Sequence, residues 1–400
     1  MATDTRSNPR ANLWALIALG FGAFVISTSE FASMGLLPLF ADDLGLSLPN
    51  ATHGITAYAL GVTLGAPLLT IGAARLNKRV LLIWLMVLAC ASNVLTAFSG
   101  GLGSLIVGRF ASGLPQGAYF GAATVAAMQM VGRDRGGWAV ALVMSGISVA
   151  TIGGAPMGTF IGQLFDWRVS YAVIAVLGLA SALALLKLVP HSHDLDGGPV
   201  AQEMAALKRG PVWLLLAFAS VAVASLFSVY TFIGPLVTQV AGLSDMMIAP
   251  AQMLVGLGIF VGTLIGGRAA DRYRFGAMLV AFAGAMAVLI LMALTAQSPG
   301  ILLPTFFLLG ATINSAVPSV TVQLMRLAPE APTLMGAMNM AAFNLANAIG
   351  AAAGGLTVDA GLGIVSSIWA GLALTGGALT FFVAVSGKLR SGVGAGQPAE

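Results

Sequence analysis

Apolar residues in this chain come in long, nearly unbroken runs rather than in the alternation of a half-buried strand. Twelve such runs lie near residues 13–39, 52–74, 80–98, 103–130, 137–162, 169–189, 212–239, 249–270, 276–297, 300–327, 333–358 and 364–386. Each comes close to or exceeds the roughly 20 residues that carry a helix across a bilayer. They are too long for barrel strands, so the pattern predicts transmembrane helices. The first run is too long for a signal-peptide core and more spans follow at once, so it is expected to stay uncleaved. One long polar connection, 190–211, interrupts the pattern. The expected fold is an all-α integral membrane protein with a six-helix bundle over 1–189, a cytoplasmic linker loop over 190–211 and a second six-helix bundle over 212–400.

The halves resemble each other at an offset of 197 residues, which aligns Pro38 with Pro235, the basic loop at 73–79 with that at 270–276, and 153–158 with 350–355. Agreement of three segments at one offset argues for a duplicated unit, the architecture of two bundles rocking about a site at mid-membrane.

Composition sharpens the class. The chain has 400 residues, 58% hydrophobic and 8% charged, against about 25% charged in soluble domains. Arg6, Arg10, Arg75, Lys78, Arg79, Arg133, Arg135, Lys187, Lys208, Arg209, Arg268, Arg272, Arg274, Arg326, Lys388 and Arg390 share one side if the spans alternate, and only Arg109 and Arg168 do not. Basic loops mark the cytoplasmic side, so both termini are expected there. A net charge of +4 reflects this placement and gives no reason to expect a nucleic-acid partner. The lone Cys90 allows neither an intrachain disulfide nor a cysteine metal cluster.

Reaction chemistry is not apparent. The Gly387-Lys388 pair is followed by leucine, so no phosphate-cradling loop is present. No nucleophile elbow or zinc spacing falls within the spans, and an enzyme is not expected. Residues 191–196 offer His191, His193, Asp194 and Asp196, but in a polar loop such a run reads as solvated linker rather than a metal site. No metal or cofactor is expected.

What stands out is polarity at membrane depth. Glu30 is the one carboxylate well inside a span. It lies about ten residues, or ~15 Å, from the end of its run, and Arg109 about six residues, or ~10 Å, from the corresponding end of the fourth. An ionised group there is costly unless paired or hydrated, and by default marks function. The two are expected to share a water-accessible cavity, with Glu30 taking up and releasing a proton; the bland alternative is a structural pair pinning spans one and four. Gly113, Gly117 and Gly121 form a close-packing ridge, Pro115 permits a bend, and Gln116 returns to the face of Arg109. Further candidates for a substrate cavity are Tyr58, Thr63, Tyr119, Ser225, Tyr230, Asn314, Gln323, Asn339, Asn344 and Asn347, although a single asparagine in a span more often makes an interhelical hydrogen bond worth about 0.6 kcal/mol.

These residues resemble the major facilitator superfamily over nearly the whole chain. The stretch 267–274, with Gly267, Asp271 and Arg272, is similar to the family's loop signature GxxxDRxxR/K. The first-half counterpart keeps Arg75 but has Ala74 in place of the acid. The resemblance implies gating roles for Arg75, Gly267, Asp271 and Arg272. Residues 109–117 resemble the R-x-x-x-G-x-x-x-G signature, whose arginine, here Arg109, is associated with proton coupling. Residues 153–158, with Pro156, resemble the Gly/Pro-rich antiporter signature, with Ala155 where glycine is usual. Segments 28–31, 35–38, 65–67, 165–168 and 342–355 look like the twelve-span drug:proton antiporters, near the sugar-efflux and chloramphenicol-resistance-like exporters of bacterial inner membranes.

The expected function is proton-coupled export of a small organic molecule, drug or sugar-like, by alternating access, with Glu30 relaxing its pairing to Arg109 on protonation. A facilitative carrier of sugars or nucleoside-like solutes, with no proton moved, is the main alternative. A non-transporting sensor would need an appended soluble domain, for which the tails look too short. Since the duplicated halves enclose a site, a monomer suffices.

Overall fold

The computed structural model describes residues 9–131, 135–192, 195, 206–273, 275–328 and 331–394. Among them there is no strand, and the helices fall into the twelve expected spans. They are α1 Pro9–Asp43, α2 Leu48–Gly72, α3 Lys78–Ala97, α4 Leu102–Val131, α5 Gly136–Leu164, α6 Trp167–Leu188, α7 Gly210–Tyr230 with a broken continuation to Val240, α8 Ile248–Tyr273, α9 Phe275–Thr295, α10 Pro299–Leu327, α11 Pro332–Asp359 and α12 Ser366–Gly394. Ten of the described helices are long and apolar enough to cross a membrane on those grounds alone.

Local chemistry sets the ends. Ser47, Asn77 and Asp166 cap α2, α3 and α6 by accepting the backbone N–H of Asn50, Arg79 and Arg168, which serves donors that have no partner inside the helix. Gly45 (φ +62°) and Gly242 (φ +68°) supply the left-handed turns that lead into α2 and α8. These two turns lie on the face opposite that of residues 9 and 394, called the distal face below.

Glycines set the packing. A Cβ at Gly61 or Gly113 would lie 2.2 Å from Phe110 O or 2.1 Å from Tyr58 O, so α2 and α4 touch backbone to backbone. The second half repeats this contact: Cβ atoms at Gly258 and Gly310 would meet Phe307 O at 2.1 Å and Val255 O at 2.6 Å, each residue 197 positions on. The offset is not uniform, however. A Cβ on Gly146 (α5) would meet Gly20 O and Phe24 N, whereas the same surroundings of Gly350 (α11) are Ala224 O and Ser228 N, 204 positions on. The duplication therefore stands, but for the α1/α5 and α7/α11 pairs the register is 204 and not the expected 197. Seven residues are close to two helical turns, so the slip keeps each helix face.

Two spans are locally underwound. Residues 150–154 of α5 form a π turn just before Pro156, and residues 236–240 form another just after Pro235. Proline has no N–H for the carbonyl four residues back; the bulge before Pro156 absorbs that loss, and for Pro235 the break at Thr231–Phe232 does so.

The halves meet along two seams. On one, α2 runs beside α11: Thr63 Oγ1 donates to Ala341 O (3.3 Å), and Ala66 packs against Ala337 and Ala341. On the other, α5 meets α8, where the hydrogen bonds between halves lie toward the distal face. Thr159 Oγ1 donates to Gln252 Oε1 (2.6 Å), Gln252 Nε2 to Phe31 O (3.2 Å) and Gln163 Nε2 to Asp245 O (2.6 Å). Pro38 lies against Gly234. This is a conformation closed at the distal face.

Candidate functional site

Glu30 projects from the middle of α1 and is 5% exposed. Its two oxygens are held from opposite halves of the molecule. Gln116 Nε2 of α4 donates to Oε2 (2.7 Å) and Asn347 Nδ2 of α11 donates to Oε1 (3.2 Å). The orientation of Gln116 is fixed in turn, because the Tyr58 hydroxyl of α2 donates to its Oε1 (2.6 Å). A carboxylate in a dry interior needs such donors, since isolated it would pay a large desolvation cost.

Arg109 is 1% exposed and does not form a direct ion pair with Glu30. Its guanidinium lies between the rings of Tyr58 (4.4 Å to the centroid) and Tyr171 (5.3 Å), while Nη1 donates to Ser29 Oγ (3.2 Å). Ser29 passes the contact on, donating to Asn93 Oδ1 of α3 (2.7 Å), and Tyr171 shares a hydrogen bond with Ser33 (2.8 Å). The structure thus corrects two expectations. The link between Glu30 and Arg109 is relayed through Ser29, Tyr58 and Gln116, because aromatic faces and a hydroxyl take the place of the carboxylate as partners of the cation. Arg109 also faces the bundle interior rather than lipid, but in this conformation it is packed between rings and not exposed to a water-accessible cavity.

The remaining candidates divide. Tyr230 stacks on Phe31 (6.0 Å between centroids), one residue from Glu30. Asn344 sits one turn before Asn347, spends its N–H on Met340 O, and keeps an unpartnered Oδ1. Tyr119 is not at the site: its hydroxyl donates to Leu19 O, about 16 Å along α1 from Glu30, which makes it a tie between α4 and α1. Asn314 is half-buried and donates to Gly310 O of its own helix, with no bond to Glu30 or its partners. Arg75 is exposed at the end of α2, and Gly267 faces open space. The side chains of Asp271 and Arg272, and residues His193, Asp194 and Asp196, lie outside the described residues. Pro156 is buried behind the π turn of α5. Arg168, the second arginine off the basic side, pairs with Asp43 (2.7 Å) at the distal face.

Four members of the network were not singled out by the sequence: Ser29, Asn93, Tyr171 and Gln252. The signal available was weak, since serines, asparagines and glutamines within spans usually serve neighbouring backbone. Only the position of Ser29 beside Glu30 offered a hint.

An enclosed carboxylate gripped from both of two repeated six-helix bundles, with a buried arginine in the first of them, is the arrangement of a secondary transporter. The model of the Major Facilitator Superfamily matches residues 19–351, and the chain belongs to that family. Among its relatives is the Inner membrane transport protein YdhP of Escherichia coli (strain K12), 35% identical over 366 residues, covering 90% of this chain and 94% of the relative. The Chloramphenicol resistance protein of Streptomyces lividans is 30% identical over 361 residues, covering 89% and 92%. The fold is shared with the crystal structure of a bacterial homologue of the human lysosomal transporter Spinster in an inward-facing, unoccupied conformation, at a TM-score of 0.73 and 14% identity over 96% of this chain and 99% of that one.

Proposed function

We propose that this transporter exports a small organic molecule in exchange for protons, by alternating access across a bacterial inner membrane. The observation that carries the reading is Glu30, an enclosed carboxylate gripped by donors from both halves. A proton arriving there removes the charge those donors serve, so protonation and the relative position of the halves bias one another. Reciprocal bias of that kind is what coupling requires. Arg109 is held in the same network by Tyr58, Tyr171 and Ser29 and supplies its fixed positive charge. Substrate then docks among Glu30, Tyr230, Asn344 and Asn347 once the halves part, where free acceptors and the ring of Phe31 suit a neutral or weakly basic solute with both apolar and polar faces.

Both termini lie in the cytoplasm in this reading, so the distal face is periplasmic and the observed conformation is closed on that side. The halves, 1–189 and 212–400, move as units joined by 190–211, and one chain suffices. Relatives that bear the names of an inner membrane transport protein and a chloramphenicol resistance protein support the direction and the solute class. The test is efflux of chloramphenicol and of a sugar panel from an exporter-depleted bacterial strain. Expression should lower accumulation of at least one of these solutes, and dissipating the pH gradient should abolish the effect. Accumulation that falls equally with and without the gradient would contradict proton exchange.

A further inference from the structure

An exchanger has to satisfy a condition that a uniporter does not: the carrier holding neither proton nor substrate must stay on one side, or the gradient drains. Asn347 is placed to impose that condition. It belongs to α11, whose backbone is locked to α7, because a Cβ on Gly350 would meet Ala224 O at 2.2 Å. Glu30 belongs to α1, which α5 fixes in the same manner through Gly146, whose Cβ would meet Gly20 O at 2.3 Å. The bond from Asn347 Nδ2 to Glu30 Oε1 (3.2 Å) therefore joins the two halves directly at mid-membrane. While Glu30 is ionised it is a charge-assisted bond, about twice as strong as a neutral one.

The other end of the same amide is unused. Asn347 is 1% exposed and its Oδ1 has no partner, a costly state for a buried carbonyl. The N–H groups of the Gln116 amide cannot turn away in the same fashion, since Tyr58 holds its oxygen. Protonation of Glu30 removes the charge that draws Nδ2, and any bond the new O–H makes to a turned-over Oδ1 is a neutral one, about half as strong, so the grip between the halves weakens. A substrate that donates to Glu30 Oε1 displaces the amide as well. We infer that Asn347 is the interlock of the exchanger, holding the halves together when Glu30 is ionised and the site is empty, and released by either a proton or a substrate. This rests on Glu30 being the proton carrier. Charged and titratable groups facing Glu30 are Arg109 from α4, Tyr58 from α2, Tyr171 from α6 through Arg109, and Tyr230 from α7. From α5, α8 and α11 the described groups nearby are neutral: Thr159, Gln252, Asn344 and Asn347.

Spin-label distances test the interlock without any substrate. Labels at Asn50→Cys and Ser244→Cys, two exposed positions on the distal face in different halves, are read in full-length Cys90→Ser protein in nanodiscs at pH 9 and pH 5. The unsubstituted site should give one short distance at pH 9 and a second, longer population at pH 5. Asn347→Leu, similar in size, should show the long population at pH 9 as well, its weight relative to the short one raised ~10-fold or more, the scale of losing one hydrogen bond to a charged group. Asn347→Gln, which retains the amide, should restore much of the pH dependence. Gln163→Leu removes a bond between halves remote from Glu30 and should keep it. A single short distance at pH 9 in folded Asn347→Leu would overturn the interlock. Glu30→Gln, a neutral side chain at every pH, should release the halves at pH 9; if it stays locked, the proton-carrier reading itself fails, whatever Asn347→Leu does.

Discussion

Arg109 is buried with aromatic faces and a serine hydroxyl for company, and that choice of partners decides which substitutions it tolerates. A planar guanidinium can stack on two rings and still donate in its own plane, whereas a lysine ammonium of the same charge cannot. Each cation–π contact is worth about 0.5–2 kcal/mol, so Arg109→Lys should slow pH-driven efflux by roughly tenfold, given that 1.4 kcal/mol is a factor of ten. Transport rates normalised to the amount of folded protein check this; an unchanged rate would mean that charge alone matters. The sequence made Glu30 and Arg109 legible because charge inside an apolar run is expensive, and Gln116 because it returns to the face of Arg109. It did not show that Ser29, Asn93 and Tyr171 would complete the shell. Their partners lie on other helices, and nothing in the local pattern separates such residues from ones that bond their own backbone.

At the scale of helices, close approach is the governing fact. Gly113→Ala would place a Cβ about 2 Å from Tyr58 O in α2, and overpacking of this sort costs about 1–3 kcal/mol. Gly377→Ala in α12 has nothing within contact distance and gains up to about 1 kcal/mol of helix propensity. Thermal scans in detergent should therefore separate the two, the first lowering the melting temperature and the second leaving or raising it. Gln252 is fully buried in α8 and bonds both α5 and α1. Gln252→Leu should loosen the distal face, measured as a several-fold faster maleimide reaction of a buried cysteine at Val237→Cys in a Cys90→Ser background; an unchanged rate would show that the closure does not depend on Gln252. Twelve runs gave twelve spans because length and apolarity suffice for that inference. The two π turns were foreshadowed only by Pro156 and Pro235, since a proline announces a missing bond without saying how the helix absorbs it. The two-register duplication was hidden for a related reason: a slip of seven residues keeps every face, so sequence matches at the shorter offset look equally convincing.

For the whole molecule, closure at the distal face and the grip on Glu30 from both halves describe one state of a cycle. The other state must break the contacts of Gln252, Gln163 and Asn347 while keeping the glycine seams within each half. The most direct test of the central claim compares the unsubstituted chain with Glu30→Gln in proteoliposomes, using a solute that the unsubstituted chain moves. Efflux driven by a pH gradient is measured beside counterflow exchange, which needs no net proton movement. If Glu30 carries the proton, Glu30→Gln loses pH-driven accumulation and retains exchange. Accumulation at the level of the unsubstituted chain would contradict the account and leave Glu30 as a structural or substrate-binding residue.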